Sequence, residues 1–139
     1  MNVENAVYPT MEQIAELSRG DSGQPIVMLN LLRFRAMAQY EDGRASALTG
    51  RDAYMLYGAR MQQIVAREGG RMLFAGEIQG LTIGTVGEIW DAVALVEYPS
   101  AAAFACVALS PEVAEIGVHR TAGLEGQLLI RIAQTDLPA

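Results

Sequence analysis

Over residues 26–34 the chain sets Val27, Leu29 and Leu31 against Met28, Asn30 and Leu32 at alternating positions, the period of a β-strand. Ahead of it, Thr10 and Gln13 have the spacing of a capping box. Met11, Ile14 and Leu17 follow at helical intervals, so a short helix is predicted over 10–19, ended by Gly20-Asp21-Ser22-Gly23. After a polar loop over 35–48, Thr49 can cap a helix over 50–67 that gathers Ala53, Tyr57, Met61 and Ile64 into one arc, with Tyr54 and Val65 at its margin. Gly69-Gly70 supplies a stop, and a second strand is predicted over 72–78. The glycine-rich stretch 80–87 reads as a hairpin connection. Its partner strand, 88–98, places Trp90, Ala92, Ala94 and Val96 opposite Ile89, Asp91, Val93 and Leu95. Pro99 opens a helix that continues over 101–109. Ser110, Pro111 and Glu112 stop it and start another short one, and a last strand is predicted over 127–132.

With the first helix set aside, the order is strand, helix, strand, strand, helix, strand. That is the split βαβ order of an α+β, ferredoxin-like fold: a four-stranded antiparallel sheet with its helices on one face. Residues 1–24 form an N-terminal helical extension, expected to cover a sheet edge or add to a subunit contact, and 25–134 form the ferredoxin-like domain. The sheet's other face needs cover. The chain has no internal repeat to supply it, so a second copy is expected and the unit should be a homodimer paired into a dimeric α/β barrel. The purely apolar Val27 face is expected beneath the helices, whereas the face carrying Asn30 is expected to border a partly wet cavity or the dimer contact.

Composition narrows the function classes. The chain has 139 residues, enough for one domain with a real core, and its 51% hydrophobic against 19% charged content fits apolar surface covered by a partner subunit. A formal charge of −6 with no stripe of Lys and Arg argues against nucleic acid as a partner. No apolar run approaches the length of a membrane span, so no membrane partner is expected. The single cysteine, Cys106, reads as a buried small hydrophobe. Together with an N-terminus lacking signal-peptide character, it points to a cytoplasmic location. Metal-binding spacings and a dinucleotide-binding loop are both missing, so neither a metal nor a cofactor is expected.

The segments PIVMLNLLRFR, LTGRDAYMLYG and LVEYPSAAAF, with the Trp90-Asp91 pair, resemble the domain-of-unknown-function family thirteen-thirty of the dimeric α/β-barrel superfamily. The resemblance runs over residues 25–128 and implies a ferredoxin-like subunit paired into a barrel, without implying a reaction. Superfamily relatives include cofactor-free monooxygenases, haem-degrading proteins, lactone isomerases and ligand-binding regulators, and fold analogy does not choose among them.

A small-molecule site is expected on the sheet face turned away from the helices, against the dimer mate. There Asn30 would polarise a substrate carbonyl or enolate, with Asp91 or His119 as proton carrier. Met28 and Trp90 would line the site, Tyr40, Arg51 and Tyr54 would close over an acidic or aromatic ligand, and Arg33 and Arg120 would supply counter-charge. Each has a plain structural alternative: Asn30 bonded to backbone or across the dimer, Trp90 in the core, Asp91 in a salt bridge, His119 on helix-end carbonyls, and the arginines and tyrosines on a solvated rim. Haem-degrading relatives combine an asparagine, a tryptophan and a helical histidine. Asn30, Trp90 and His119 match that set only superficially, and the haem role is not carried over. The activity expected is cofactor-independent oxygenation or proton transfer on a small carbonyl or aromatic metabolite, with a non-catalytic binding or dimerisation module as the alternative.

Overall fold

Thr10 starts the first helix as its spacing predicts. In the computed structural model, which describes residues 2–138, the Gln13 amide donates to the Thr10 hydroxyl at 3.1 Å while the Thr10 amide donates to the Gln13 side chain at 2.9 Å. Helix α1 (Met11–Arg19) precedes β1 (Ile26–Phe34), α2 (Gly50–Arg67), β2 (Arg71–Glu77), β3 (Ala92–Tyr98), α3 (Ala101–Ala108), α4 (Pro111–Gly123) and β4 (Leu124–Ile132). The four strands form one antiparallel sheet in the order β2-β3-β1-β4, which makes the fold ferredoxin-like α+β.

The caps hold as expected: Thr49, Ser100 and Ser110 each accept the N3 amide of the helix they start. Three boundaries differ. The strand predicted over 88–98 begins at Ala92, because the Asp91 carboxylate accepts the Phe34 amide at 2.8 Å and occupies the place of a ladder partner. Helix α4 is not short, since it runs on through Gly117 to Gly123, and β4 follows without a connecting residue. Strand β2 does not alternate cleanly, because its register shifts between Met72 and Phe74.

The largest correction concerns the faces of the sheet. Ile26 and Met28 are buried with Ile64, Val65, Val107 and Val113, so the β1 face that carries Asn30 lies beneath the helices. The Val27 face is the bare one. Register pairs Leu29 with Leu95 and Ile130, Leu31 with Val93 and Leu128, and Phe74 with Leu95, which gathers an apolar surface on which Phe74 is 56% and Ile130 42% exposed. Uniform apolarity marks a face that something covers and does not say whether helices or another sheet cover it.

Two glycines set the helix layer. A Cβ on Gly123 would overlap the Gly50 carbonyl oxygen and lie 2.8 Å from the Tyr54 amide nitrogen, so α2 and α4 meet backbone to backbone at this end. Cys106 is exposed, contrary to the buried site expected. Phe104 turns to the core, and a residue two positions further on lies on the opposite side of a helix. The N-terminal extension does cover a sheet edge, as Ala6 and Gln127 exchange backbone hydrogen bonds of 3.2 and 2.8 Å along β4. Among the described residues, no single helix is long and apolar enough to cross a membrane.

Candidate functional site

Because α2 and α4 clamp to each other at Gly50 and Gly123, they stand off the sheet toward β4, where Leu129 stays 45% exposed on the helix side. The gap is a cleft of about 1460 Å³. Its floor is the Met28–Asn30 face of β1 with Ala94, Val96 and Leu129. Its walls are α2 and α4, and the N-terminal extension forms its outer side. Helix α1 buries no residue of its own. Leu17 packs against the helix-side core, and the extension that carries α1 is held as a strap by polar contacts: Trp90 Nε1 donates to Asn5 Oδ1 at 2.6 Å, the Tyr8 hydroxyl donates to Glu41 at 2.9 Å, and Arg131 donates to the Leu17 carbonyl at 3.3 Å.

Within the cleft a hydrogen-bond line runs along one end. Asn30 Nδ2 donates to the Met28 and Ala94 carbonyls, both at 3.3 Å, and Asn30 Oδ1 accepts from Gln127 Nε2 at 2.9 Å. Gln127 Oε1 in turn accepts from Arg120 Nη1 at 3.0 Å. Both donors of the Asn30 amide are therefore engaged with backbone, and the residue orients Gln127 and, through it, Arg120. That differs from the carbonyl-polarising role expected and agrees with the alternative of a backbone-bonded amide. Arg120 lines the cleft with no carboxylate within ion-pair distance among the described residues, whereas Arg33 is paired with both Glu88 and Glu125.

Three phenols face this space. Tyr54, Tyr57 and Tyr98 line the cleft, and their hydroxyls have no hydrogen-bond partner among the described residues. Burial holds all three above the ordinary phenol value of 10.0. Neighbouring tyrosines add to the shift at Tyr54 and Tyr98, and Arg120 opposes it at Tyr54 and Tyr57. The unfolded chain releases these protons near pH 10 while the folded one keeps them, so stability is whole below pH 10 and falls as pH rises beyond it. Denaturant unfolding at pH 9 and pH 11 is expected to show this fall, and Tyr54→Phe should flatten it. Parallel pH profiles for the two proteins would contradict the assignment.

His119 joins the site indirectly. Its Nδ1 lies 2.7 Å from the hydroxyl of Tyr40, a lining residue, with the two rings edge to face, and the Arg44 guanidinium sits 4.5 Å from the centre of the Tyr40 ring. The histidine thus engages a phenol instead of helix-end carbonyls. Asp91 and Trp90 lie outside the cleft lining: Asp91 secures the end of β1, and Trp90 is half-buried against the strap, outside the core. Arg33 also lies outside it, donating to the Ile89 carbonyl at 2.9 Å, and Arg51 pairs with Glu77. Of the predicted residues, Met28, Asn30, Tyr40, Tyr54 and Arg120 come together in the cleft. Tyr57, Tyr98, Gln127 and the strap were not foreseen. A signal existed for Gln127, which interrupts the apolar run of β4 as Asn30 does that of β1. No group of three or more His, Cys, Asp or Glu that could hold a metal ion occurs among the described residues.

The family described as Domain of unknown function (DUF1330) matches residues 31–132. The chain belongs to this family. Among solved structures, the DUF1330 chain is 36% identical to RPA0582, a protein of unknown function from Rhodopseudomonas palustris; the match covers 96% of this chain and 100% of that one at a TM-score of 0.86. A methylated form of RPA0582 matches at 38% identity over 95% of this chain and 96% of that one, also at a TM-score of 0.86. A hydroxynitrile lyase from Passiflora edulis is similar at 13% identity and a TM-score of 0.54, over 84% of this chain and 99% of that one, a likeness of fold alone. No curated protein matches the sequence.

Proposed function

We propose that this DUF1330 protein is a homodimer that binds a small, largely apolar carbonyl or aromatic metabolite in the helix-side cleft of each subunit and acts on it by proton transfer without a cofactor. The observation that carries the reading is Arg120: a cation inside a cleft, oriented by Gln127 and Asn30, with no carboxylate paired to it among the described residues. A ligand oxygen placed there meets a donor that the protein has left available. Tyr40 is the acid–base candidate, since His119 Nδ1 can take or return its phenolic proton over 2.7 Å. The exposed apolar sheet face supports the homodimer, because a soluble protein covers such a surface. The hydroxynitrile lyase of similar fold gives an example of a reaction on such a scaffold and assigns no residue here.

The test uses Gly117, which lines the cleft and has nothing within 4 Å of the position its Cβ would take. Gly117→Phe is expected to obstruct the cleft at the middle of α4 while removing a helix-interior glycine, a change worth at most about 1 kcal/mol in the helix's favour. With the fluorescent probe 8-anilinonaphthalene-1-sulfonate, the wild type should bind about one molecule per subunit and Gly117→Phe should bind it more weakly at an undiminished melting temperature. Equal binding by both proteins would remove the cleft from the proposal. A second reading, a binding module without catalysis, is favoured by the full engagement of the Asn30 amide. Deuterium exchange into bound ketones, tested in wild type and Tyr40→Phe, separates the two: exchange lost in the variant supports proton transfer, and its absence from both supports the binding module.

A further inference from the structure

The cleft changes character along its length in the same sense on β1, α4 and α2, while β4 sets Arg131 beside Met28. On β1 the order is Met28 then Asn30, and on α4 Val113 then Arg120. On α2, which runs the other way, Val65 and Met61 occupy one end and Tyr57 and Tyr54 the other. Phe34 lies 5.5 Å from Tyr54, which fixes the polar end at the C-terminal end of β1, and Phe104 and Ile116 pack with Met28 and Val65 at the apolar end. From Tyr54 to Val65 the helix advances about 16 Å.

We infer that the ligand is an elongated amphiphile with a single carboxylate, its head on Arg120 and its hydrocarbon or aromatic body running along α2 toward Phe104. This deepens the proposed function and rests on the cleft being the ligand site. Gln127 occupies Arg120 Nη1 and leaves the remaining guanidinium donors open, and a planar fork of that kind matches a carboxylate better than a lone carbonyl. The acidic groups near this end do not compete for Arg120, because Asp42 is paired with Arg44 and Glu41 accepts the Tyr8 hydroxyl. The Tyr8 ring, 5.8 Å from the Arg120 guanidinium, closes the polar end from the strap side. At the other end Met28, Met61, Val65 and Val113 face the cleft with no charged side chain beside them on β1, α2 or α4, and the one cation of β4 there, Arg131, is turned to the strap, where it donates to the Leu17 carbonyl at 3.3 Å.

Isothermal titration of the full chain with decanoate and with decan-1-ol tests the charge and the cleft separately. Decanoate is expected to bind about ten- to a hundredfold more tightly than the alcohol. That margin should vanish in Arg120→Gln and persist in large part in Arg120→Lys. In the wild type, decanoate affinity should also fall as pH drops through the carboxyl range while decan-1-ol affinity stays level, a readout that needs no variant to fold. Equal affinity for the two compounds, or an Arg120→Gln protein of unchanged melting temperature that keeps the margin, would overturn the carboxylate assignment and leave the cleft standing as a ligand site. Binding of neither compound would overturn both.

Discussion

In light scattering at micromolar concentration, Leu95→Asp is expected to run as a single subunit where the wild type runs as a pair. Leu95 sits on β3 between Leu29 and Phe74, in the middle of the apolar face that the helices leave uncovered. A carboxylate there would have to leave water without a partner on every approach of a second sheet, and a two-fold assembly makes that change twice. A loss of about 4 kcal/mol, roughly a thousandfold in dissociation constant, is a conservative expectation. The fold itself should survive, because Leu95 does not face the helix-side core. A wild type that is monomeric, or a Leu95→Asp protein that stays paired, would show that this surface is not the subunit contact.

Gly123→Ala is expected to destabilise the fold strongly through a single added methyl. The added Cβ would meet the Gly50 carbonyl oxygen and the Tyr54 amide nitrogen, backbone atoms that cannot rotate aside as a side chain can. Helices α2 and α4 must then separate, which breaks the arrangement in which the Gly50 amide donates to the Arg35 carbonyl at 3.1 Å and the Arg35 amide to the Gly123 carbonyl at 2.8 Å. Overpacking of this kind costs about 3 kcal/mol, on the order of 10 °C in melting temperature for a domain of this size. The site should suffer with the fold, since Tyr54 and Arg120 ride on the two helices being pushed apart. Thermal melting checks the first effect, and probe binding below the melting range checks the second. A variant that melts with the wild type would contradict the backbone contact.

Much of the fold was legible because its signals are local. Thr10 with Gln13, Thr49, and Ser110 with Pro111 each declare a helix start within four residues, and the alternation from Ile26 to Phe34 declares a strand of the length observed. The site was half legible. Asn30 stood out as a polar residue in an apolar strand, and Tyr40, Tyr54 and Arg120 were picked out around it, but the cleft was placed on the wrong side of the sheet. Periodicity divides a strand into two faces without saying which layer each one meets. The same limit hid Gln127, whose partnership with Asn30 depends on β4 lying beside β1, and the strap, whose position depends on Ala6 pairing with Gln127. Asp91 and Trp90 looked chemical because they are conspicuous residue types. Their contacts, with the Phe34 amide and the Asn5 side chain, are long-range and left no trace in the local pattern.

The strap links these features to function. It is fastened by the side chains of Asn5 and Tyr8, the Leu17 carbonyl and the Ala6–Gln127 backbone pair, while Leu17 packs against the helix-side core. Tyr8 touches both Glu41 on the long loop and the neighbourhood of Arg120, so the strap meets the cleft at the end where the proposed ligand would place its polar group.

Nuclear magnetic resonance of protein carrying labelled tyrosine rings and leucine methyls, titrated with decanoate, discriminates most directly between the two sides of the sheet. Shifts at Tyr54, Tyr57 and Tyr98, with Leu29 and Leu95 unmoved, are the expected result. Shifts at Leu29 and Leu95 with the three tyrosines silent would place the ligand between paired sheets and contradict a site beneath the helices.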